Sequence, residues 1–237
     1  MLNFYEKQIF SAKDIKAFIN KIAETVEIMA TENAEKFGYG REVVLSFGGF
    51  WIVSKIRFSI NEYPSADGEL IAQTWPLPPG KIKVERQYRI KDGNDKILVN
   101  AASEWCILSV ETRRPIRVEG DCFSGGHEYF NESSGAGDFS KIRPQINEED
   151  FCCLREIVAS DIDMNNHTNN KKYTEMVLGC FSDEQLAKTP IKTYELHFVK
   201  ESVLGDKIRI YKQKTDNGAL VTGVSDSGTV FNAFLEF

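Results

Sequence analysis

The sequence predicts an α+β protein in which one structural unit, a long helix wrapped by a curved antiparallel sheet, occurs twice along the chain. The first observation is a strongly amphipathic helical segment near the start, followed by segments of alternating polarity. The second is that a helix and a set of strands return in the same order about 140 residues further on. Identity between the halves is weak, so the repeat is one of architecture. A chain of 237 residues can bury a core as one large domain or two small ones.

The first predicted element is a long helix with one apolar face. Apolar residues recur at steps of three and four across residues 15–37, which is the spacing of a single helical face. Ser11 is the predicted N-cap, and Gly38 and Gly40 are the predicted stop. A helix this one-sided needs a large apolar surface to lie on, which the following strands would provide.

Alternating polar and apolar residues after the helix predict four strands, over residues 50–60, 69–75, 81–90 and 97–110. Residues between the last two have the composition of a hairpin turn. Arg86 is out of place, because it falls in the apolar phase of its strand. It is therefore either paired in the interior or part of a β-bulge.

The texture of the sequence changes after the first set of strands. Residues 119–149 are broken by glycine, serine and proline, which predicts a linker along the surface. A second unit follows, with a strand at 151–159 and a helix from about Asn170 to Ala187. Its remaining strands are predicted at 194–200, 207–213, 220–225 and 229–237.

These boundaries divide the chain into a first unit, a linker and a second unit, at residues 1–118, 119–149 and 150–237. Two helix-and-sheet units side by side can pair their sheet edges and so hide them from solvent. The predicted fold is therefore a tandem double hotdog.

Composition and charge exclude several classes of function. The formal net charge is −6 and the isoelectric point is about 5.3, which argues against a nucleic-acid-binding protein. No run of about 18 apolar residues occurs, so we predict no membrane span. The first residues lack the pattern of a signal peptide, and we expect a cytoplasmic protein.

The five cysteines show no recognisable spacing. They form neither a C-x-x-C pair nor a cysteine and histidine cluster of the kind that binds zinc. We therefore expect free thiols in a reducing compartment, each a small buried hydrophobic side chain. No metal and no cofactor are predicted.

Only one stretch, residues 160–170, is chemically dense. It contains two acids, four asparagines and one histidine, between the strand and the helix of the second unit. An Asx-rich turn that caps the helix is the structural explanation, but a cap needs only one such residue. We therefore favour a functional site.

This stretch resembles the signature of the acyl-acyl carrier protein thioesterases, in the run Asp163-x-Asn165-x-His167-x-Asn169-Asn170-x-Lys172-Tyr173. Residues 51–55 and 111–115 support the resemblance, which spans nearly the whole chain. It implies hydrolysis of the thioester of a fatty acyl-acyl carrier protein, with release of a free fatty acid, by a member of bacterial type. The catalytic set that it implies is Asp163, Asn165, His167 and Glu201.

The chain departs from the plant members of that family at one position. Where they have cysteine after the matching glutamate, this sequence has Ser202, which argues against an obligatory thiol nucleophile. We expect activated water instead, with Glu201 as base and His167 as acid and base partner. Asn165 would position these groups, Asp163 would support them, and the start of the following helix would offer N–H groups to an oxyanion. The opposite assignment of base between Glu201 and His167 stays open.

The resemblance also implies where the substrate lies. The acyl chain would occupy a slot between helix and sheet in the first unit. The candidate walls are Trp51, Val53, Ile56, Ile22, Val26 and Met29, and for any one of them plain core is the favoured alternative. Acyl carrier proteins are strongly acidic, so this acidic protein needs a local basic patch. The candidates are Lys81, Lys83, Arg89, Arg113 and Arg114, for which a solvated sheet surface is the alternative.

Three other functions fit the same fold. The protein could hydrolyse acyl-coenzyme A, bind acyl thioesters without turnover as a regulatory module, or dehydrate 3-hydroxyacyl thioesters. A tandem double unit already supplies its own sheet pairing, so the sequence is compatible with a monomer. Further association into a homodimer stays open.

Overall fold

The computed structural model describes residues 4–10, 14–65, 68–118, 128–163 and 166–237. The chain divides into two compact units. The first comprises the described residues of Met1–Ser11 and Glu24–Gly137, and the second those of Ala12–Ala23 and Asp138–Phe237. None of the described helices is both long and apolar enough to cross a membrane.

The elements of the first unit are β1 (Tyr5–Phe10), α1 (Ile15–Lys36, which begins among residues of the second unit), α2 (Arg41–Ser46), β2 (Gly49–Ile60), β3 (Glu69–Pro76), β4 (Lys83–Asp92), β5 (Ile97–Ser109) and β6 (Pro115–Ile116). Its strands form an antiparallel sheet in the order β1-β3-β4-β5-β2, with the short β6 beside β5.

Helix α1 follows the predicted period. Asp14 caps its first turn by accepting a hydrogen bond from the Ala17 N–H at 2.8 Å, whereas the predicted cap, Ser11, lies outside the described residues. At the other end Gly38 has φ +81°, a left-handed conformation that glycine adopts without steric cost. The helix therefore ends where the glycines predict.

Arg86 is paired in the interior. The register of β4 against β5 runs unbroken from Val84 to Ile90, so there is no bulge at this position. The guanidinium is 4% exposed and donates from Nη1 to the Thr74 hydroxyl at 3.3 Å. Burial raises the pKa of the neighbouring Tyr88 to about 12, although the charge of Arg86 acts in the opposite direction.

Part of the predicted linker packs on the sheet of the first unit. The Trp75 indole donates to the Glu132 carbonyl at 2.8 Å, and the Arg57 guanidinium donates to the Ala136 carbonyl at the same distance. Ser134 is buried and donates to the Gln87 side chain from both its N–H and its hydroxyl. Residues 130–137 thus cover this sheet, while residues 119–127 lie outside the described part of the chain.

The elements of the second unit are β7 (Phe151–Glu156), α3 (Asn170–Gly179), α4 (Asp183–Lys188), β8 (Thr193–Phe198), β9 (Lys207–Lys214), β10 (Gly218–Ser225) and β11 (Gly228–Glu236). Its strands repeat the order of the first unit, as β7-β9-β10-β11-β8, and are again antiparallel throughout.

The prediction of one helix from Asn170 to Ala187 is wrong, because two helices occupy this range. The first ends at Gly179, and the second begins after Ser182, whose hydroxyl caps it by accepting from the Gln185 N–H at 3.1 Å. A serine inside a helical period can end one helix and start the next, since its side chain competes for backbone N–H groups.

Candidate active site

The dense loop of the second unit lies between β7 and α3 and is closed by its own backbone. The Asp163 N–H donates to the His167 carbonyl at 2.8 Å, and the His167 N–H donates to Asp163 Oδ1 at 3.2 Å. Asn166 has φ +62°, a left-handed conformation that asparagine tolerates better than most residues. The result is a tight turn that holds the backbone of His167 in place. Asn165 lies outside the described residues, so its positioning role stays a prediction.

His167 and Glu201 meet although they are 34 positions apart in the sequence. The distance from His167 Nε2 to Glu201 Oε2 is 3.5 Å. The two side chains are 29% and 43% exposed, so the pair can be reached from solvent. Glu201 lies after the end of β8 and not within it. This agrees with the predicted strand, which ends at residue 200. This pairing of imidazole with carboxylate is the geometry that the water mechanism requires.

A buried hydroxyl cluster holds the segments of His167 and Glu201 together, one residue beyond each member of the pair. Ser202 is fully buried, and its hydroxyl lies 2.7 Å from the Thr168 hydroxyl and 2.8 Å from the Tyr173 hydroxyl. Its carbonyl accepts from the Thr168 N–H at 2.9 Å. Because Thr168 and Ser202 directly follow His167 and Glu201, this contact sets the spacing of the pair.

Sequence reasoning missed this cluster. Thr168 falls at an unspecified position of the signature, and Tyr173 stands at its end without an assigned role. Burial raises the pKa of the Tyr173 phenol, and its O–H is a structural hydrogen-bonding group. The available signal was the helical phase, which places Tyr173 on the buried face of α3.

The first acid of the loop, Asp161, has a structural role that the sequence did not reveal. It is 1% exposed, accepts two hydrogen bonds from Arg155 Nη2 at 3.1 and 3.2 Å, and accepts a third from the Val158 N–H. Its carbonyl accepts from the Asn169 N–H at 2.8 Å. Asp161 therefore anchors the start of the loop to β7 and its end to α3.

Asn169 caps helix α3, as the structural explanation of the loop predicted. Its side-chain oxygen accepts from the Lys171 N–H at 3.0 Å. The cap and the functional site use different residues of one loop, so the two interpretations are compatible. The positive end of a helix of ten residues therefore lies two positions beyond His167.

The predicted slot residues are buried to different degrees. Trp51 is half-buried and donates from its indole to the Tyr39 carbonyl at 2.9 Å, whereas the others, Val53, Ile56, Ile22, Val26 and Met29, are buried. Burial fits both a slot wall and plain core, so the substrate-binding role stays a prediction.

Several of the predicted carrier-contact residues already have partners. Lys83 is paired with Glu104 at 2.8 Å, and Arg89 is paired with Glu132 at 2.5 Å and stacked over Trp75. Arg113 lies over the Phe50 ring with its guanidinium carbon 4.7 Å from the ring centroid. Lys81 and Arg114 are exposed, and Lys81 precedes β4. The carrier contact stays a prediction for all five residues.

Solved structures define the fold class. An acyl-ACP thioesterase from Bacteroides thetaiotaomicron is similar with a TM-score of 0.87 and 20% identity, over 99% of this chain and 98% of that one. The 12:0-ACP thioesterase from Umbellularia californica is similar with a TM-score of 0.86 and 16% identity, over 100% and 97%. At these identities the likeness shows the fold, and the prediction of a tandem double hotdog is confirmed.

Family models then identify the chain more closely. The model of the acyl-ACP thioesterase N-terminal domain matches residues 3–125, and that of the C-terminal domain matches residues 148–230. The chain therefore belongs to the acyl-ACP thioesterase family, as the signature predicted.

Two curated relatives of this chain come from plants. A palmitoyl-acyl carrier protein thioesterase of Cuphea hookeriana is 26% identical over 83% of this chain and 49% of its own length. An oleoyl-acyl carrier protein thioesterase of Coriandrum sativum is 26% identical over 92% of this chain and 65% of its own length. The chain spans about half the length of the first curated relatives that it matches.

Proposed function

We propose that this protein hydrolyses the thioester of fatty acyl-acyl carrier protein and releases a free fatty acid. The observation that carries the proposal is the approach of His167 to Glu201, 3.5 Å apart and partly exposed. Family membership supports the reaction class. Acyl carrier protein is the proposed partner, and a cytoplasmic location and a monomeric or homodimeric state remain predictions.

The pair can perform both proton transfers of the reaction. Glu201 takes a proton from water as the water oxygen bonds to the thioester carbon, and His167 returns a proton to the sulfur as the C–S bond breaks. Such general acid and base help contributes about 10²–10⁴ in rate. The roles of base and acid can also be exchanged between the two side chains, which is the open alternative.

Burial of Ser202 argues against a covalent mechanism. A nucleophilic hydroxyl must reach the thioester carbonyl and give its proton to a base. The Ser202 hydroxyl is fully buried and engaged with Thr168 and Tyr173, and neither partner is a base. Water activated by the neighbouring carboxylate is therefore favoured over an acyl-serine intermediate.

Hydrolysis needs a hydrogen-bond donor for the developing oxyanion. One such donor is worth roughly 3–4 kcal/mol. In the first turn of α3 the Asn169 side-chain oxygen accepts from the Lys171 N–H, and the Asn169 carbonyl accepts from the Lys172 N–H. Because these two N–H groups are engaged, the proposed donor is the Asn165 amide. Asn165 and Asp163 complete the proposed set as positioning groups.

The acyl chain is proposed to lie along the helix-facing side of the first unit. Val53 and Met29 are buried, and such apolar side chains suit a fatty chain. The exposed Lys81 and Arg114 are the better candidates for contact with the acidic carrier, because Lys83 and Arg89 are already paired with acids.

The test is the release of free thiol and free acid by the purified protein, on matched acyl-acyl carrier protein and acyl-coenzyme A substrates. We expect a higher kcat/KM on the carrier substrate, and almost complete loss of hydrolysis in both Glu201→Gln and His167→Ala. The exposed Glu184→Gln is the matched control and should retain wild-type rates. Wild-type rates in both active-site variants would refute the mechanism.

The remaining outcomes distinguish the alternatives. Faster turnover of acyl-coenzyme A would identify a coenzyme A thioesterase, and an enoyl thioester product would identify a dehydratase. Tight binding of acyl thioester without any turnover would identify a regulatory module.

A further inference from the structure

Three cysteines that belong to none of the sequence motifs form one cluster in the second unit. The Sγ atoms of Cys152, Cys153 and Cys180 all lie within 4.8 Å of one another. Cys152 and Cys153 belong to β7, and Cys180 is the residue directly after α3. The three thiols are free, as expected, but the expectation that each is buried is wrong for Cys152 and Cys153, which are exposed.

An irregularity in β7 creates the cluster. Successive side chains of a regular strand point to opposite faces, so two adjacent cysteines would not converge. The register of β7 against β9 shifts between Phe151 and Cys153, which leaves Cys152 as the extra residue of a bulge. The bulge lets both neighbouring thiols approach the third.

The third thiol is held in a fixed position. Cys180 Sγ lies 3.5 Å from the Met176 carbonyl, within the last turn of α3. The Cys180 carbonyl accepts a hydrogen bond from Lys212 Nζ at 2.7 Å, and this ammonium also lies 5.0 Å from the centroid of the Phe181 ring. A cation is thus placed beside the cluster from strand β9.

We propose that Cys152, Cys153 and Cys180 form a binding site for a thiophilic divalent cation of the zinc class. Thiolates bind Zn²⁺ at about 2.3 Å, which places two sulfurs of a tetrahedral site roughly 3.8 Å apart. The three sulfurs lie within 4.8 Å of one another, so side-chain rotations that bring them closer by at most about 1 Å would complete the site. Three protein ligands leave the fourth position for water or another donor.

Charge and proton balance are consistent with this occupant. The ion forms three M–S bonds as the three thiols release their protons to solvent. Three thiolates and a divalent cation leave one negative charge, which the nearby Lys212 ammonium can offset. A disulfide would use only two of the three converging thiols and would need an external oxidant, so the metal site accounts for more of the geometry.

The direct test is titration of the reduced, chelator-treated 237-residue chain with Cd²⁺ alone. We expect one ion per chain, reported by the thiolate-to-cadmium charge-transfer absorption in the ultraviolet, and displacement of that ion by Zn²⁺. Replacing one ligand, in Cys152→Ser, Cys153→Ser or Cys180→Ser, should weaken binding by more than the roughly 10–100-fold that is typical when only a hydrogen-bond partner of a metal ligand is removed.

Cys106→Ser is the matched control, because Cys106 is a buried free thiol outside the cluster. The affinity of this variant for Cd²⁺ should equal that of the wild type. Absence of the charge-transfer band, or equal affinity in wild type and in Cys152→Ser, would overturn the proposal. Since Cys180 is buried and its variant could fail to fold, the two β7 variants decide the outcome. Hydrolytic activity is not a readout, so this test is independent of the proposed function.

Discussion

The two units have the same strand order but differ in the connection between the first strand and the helix. In each unit the first strand pairs with the third, and the second strand lies at the opposite end of the sheet. The connection from β1 to α1 is residues 11–14, whereas that from β7 to α3 is residues 157–169. The longer connection carries His167 and the network that holds it. Extra residues in one connection, and not a change of strand order, therefore distinguish the unit that carries the candidate site.

The first helix of each unit also differs in length and in role. Helix α1 has 22 residues and a continuous buried face, as a helix that lines a core or an acyl slot requires. Helix α3 has ten residues, and its N-terminus directly follows the loop that carries His167. One helix therefore serves mainly packing, and the other helps to position a site.

The largest expected effect concerns the proposed catalytic pair of the second unit, Glu201 and His167. If Glu201 and His167 act in one step, Glu201→Gln and His167→Ala should each lower the single-turnover rate by about 10²–10⁴. The double variant should be little worse than the poorer single variant, because the two losses are not additive. Single-turnover thioester cleavage measures this, and fully multiplicative losses would mean that the residues act independently.

The next effect separates two adjacent residues of that site. Ser202→Ala leaves the Thr168 and Tyr173 hydroxyls without their shared partner, and we expect a loss of about 1–3 kcal/mol in the free energy of unfolding. Hydrolysis should fall only in part, since the missing hydroxyl is not the nucleophile. Urea unfolding and kcat on the same preparation check this, and complete inactivation of a folded variant would restore serine as a nucleophile.

The first unit offers a contrasting test at Arg86. This buried guanidinium donates to a neutral hydroxyl, and no described carboxylate is paired with it. Arg86→Met removes the cost of burying the charge, so we expect the free energy of unfolding to stay equal or to rise by about 1 kcal/mol or more. Thermal and urea unfolding measure the change. Destabilisation by several kcal/mol would show that the guanidinium is a structural anchor of this sheet.

The smallest effect is a pH dependence in the first unit. Burial alone would raise the pKa of Glu104, but hydrogen bonds from Lys83 and Ser54 and the charge of Lys55 outweigh it, and the pKa is lowered. The unfolded state then takes up the proton first as pH falls. The stabilisation is present above the unfolded pKa of about 4.3 and is lost as pH falls through the folded value.

Glu104→Gln should therefore cost a few tenths to about 1 kcal/mol in the free energy of unfolding at pH 7. The difference from wild type should shrink in acid, which urea unfolding at several pH values will measure. A difference that grows as pH falls would contradict the sign of the shift.

Local signals in the sequence predicted much of this protein. The helical period over residues 15–37 and the alternation of the strands determined both the elements and their repeat. The signature around His167 identified the family, because its spacing is specific. The helix break before Ser182 escaped prediction, since a cap inside an apolar period competes with continuation of the helix by only about 1 kcal/mol.

The repeated helix-and-sheet order and the place of the signature loop could be read from the sequence, because both depend on residues close together in the chain. Which distant residues meet depends on the three-dimensional fold. It brought Glu201 to His167 through the Ser202 contact, gave Asp161 an anchoring role, and gathered three thiols through one bulge in β7. Such meetings depend on strand register, and a shift of one residue turns every later side chain to the other face of the sheet.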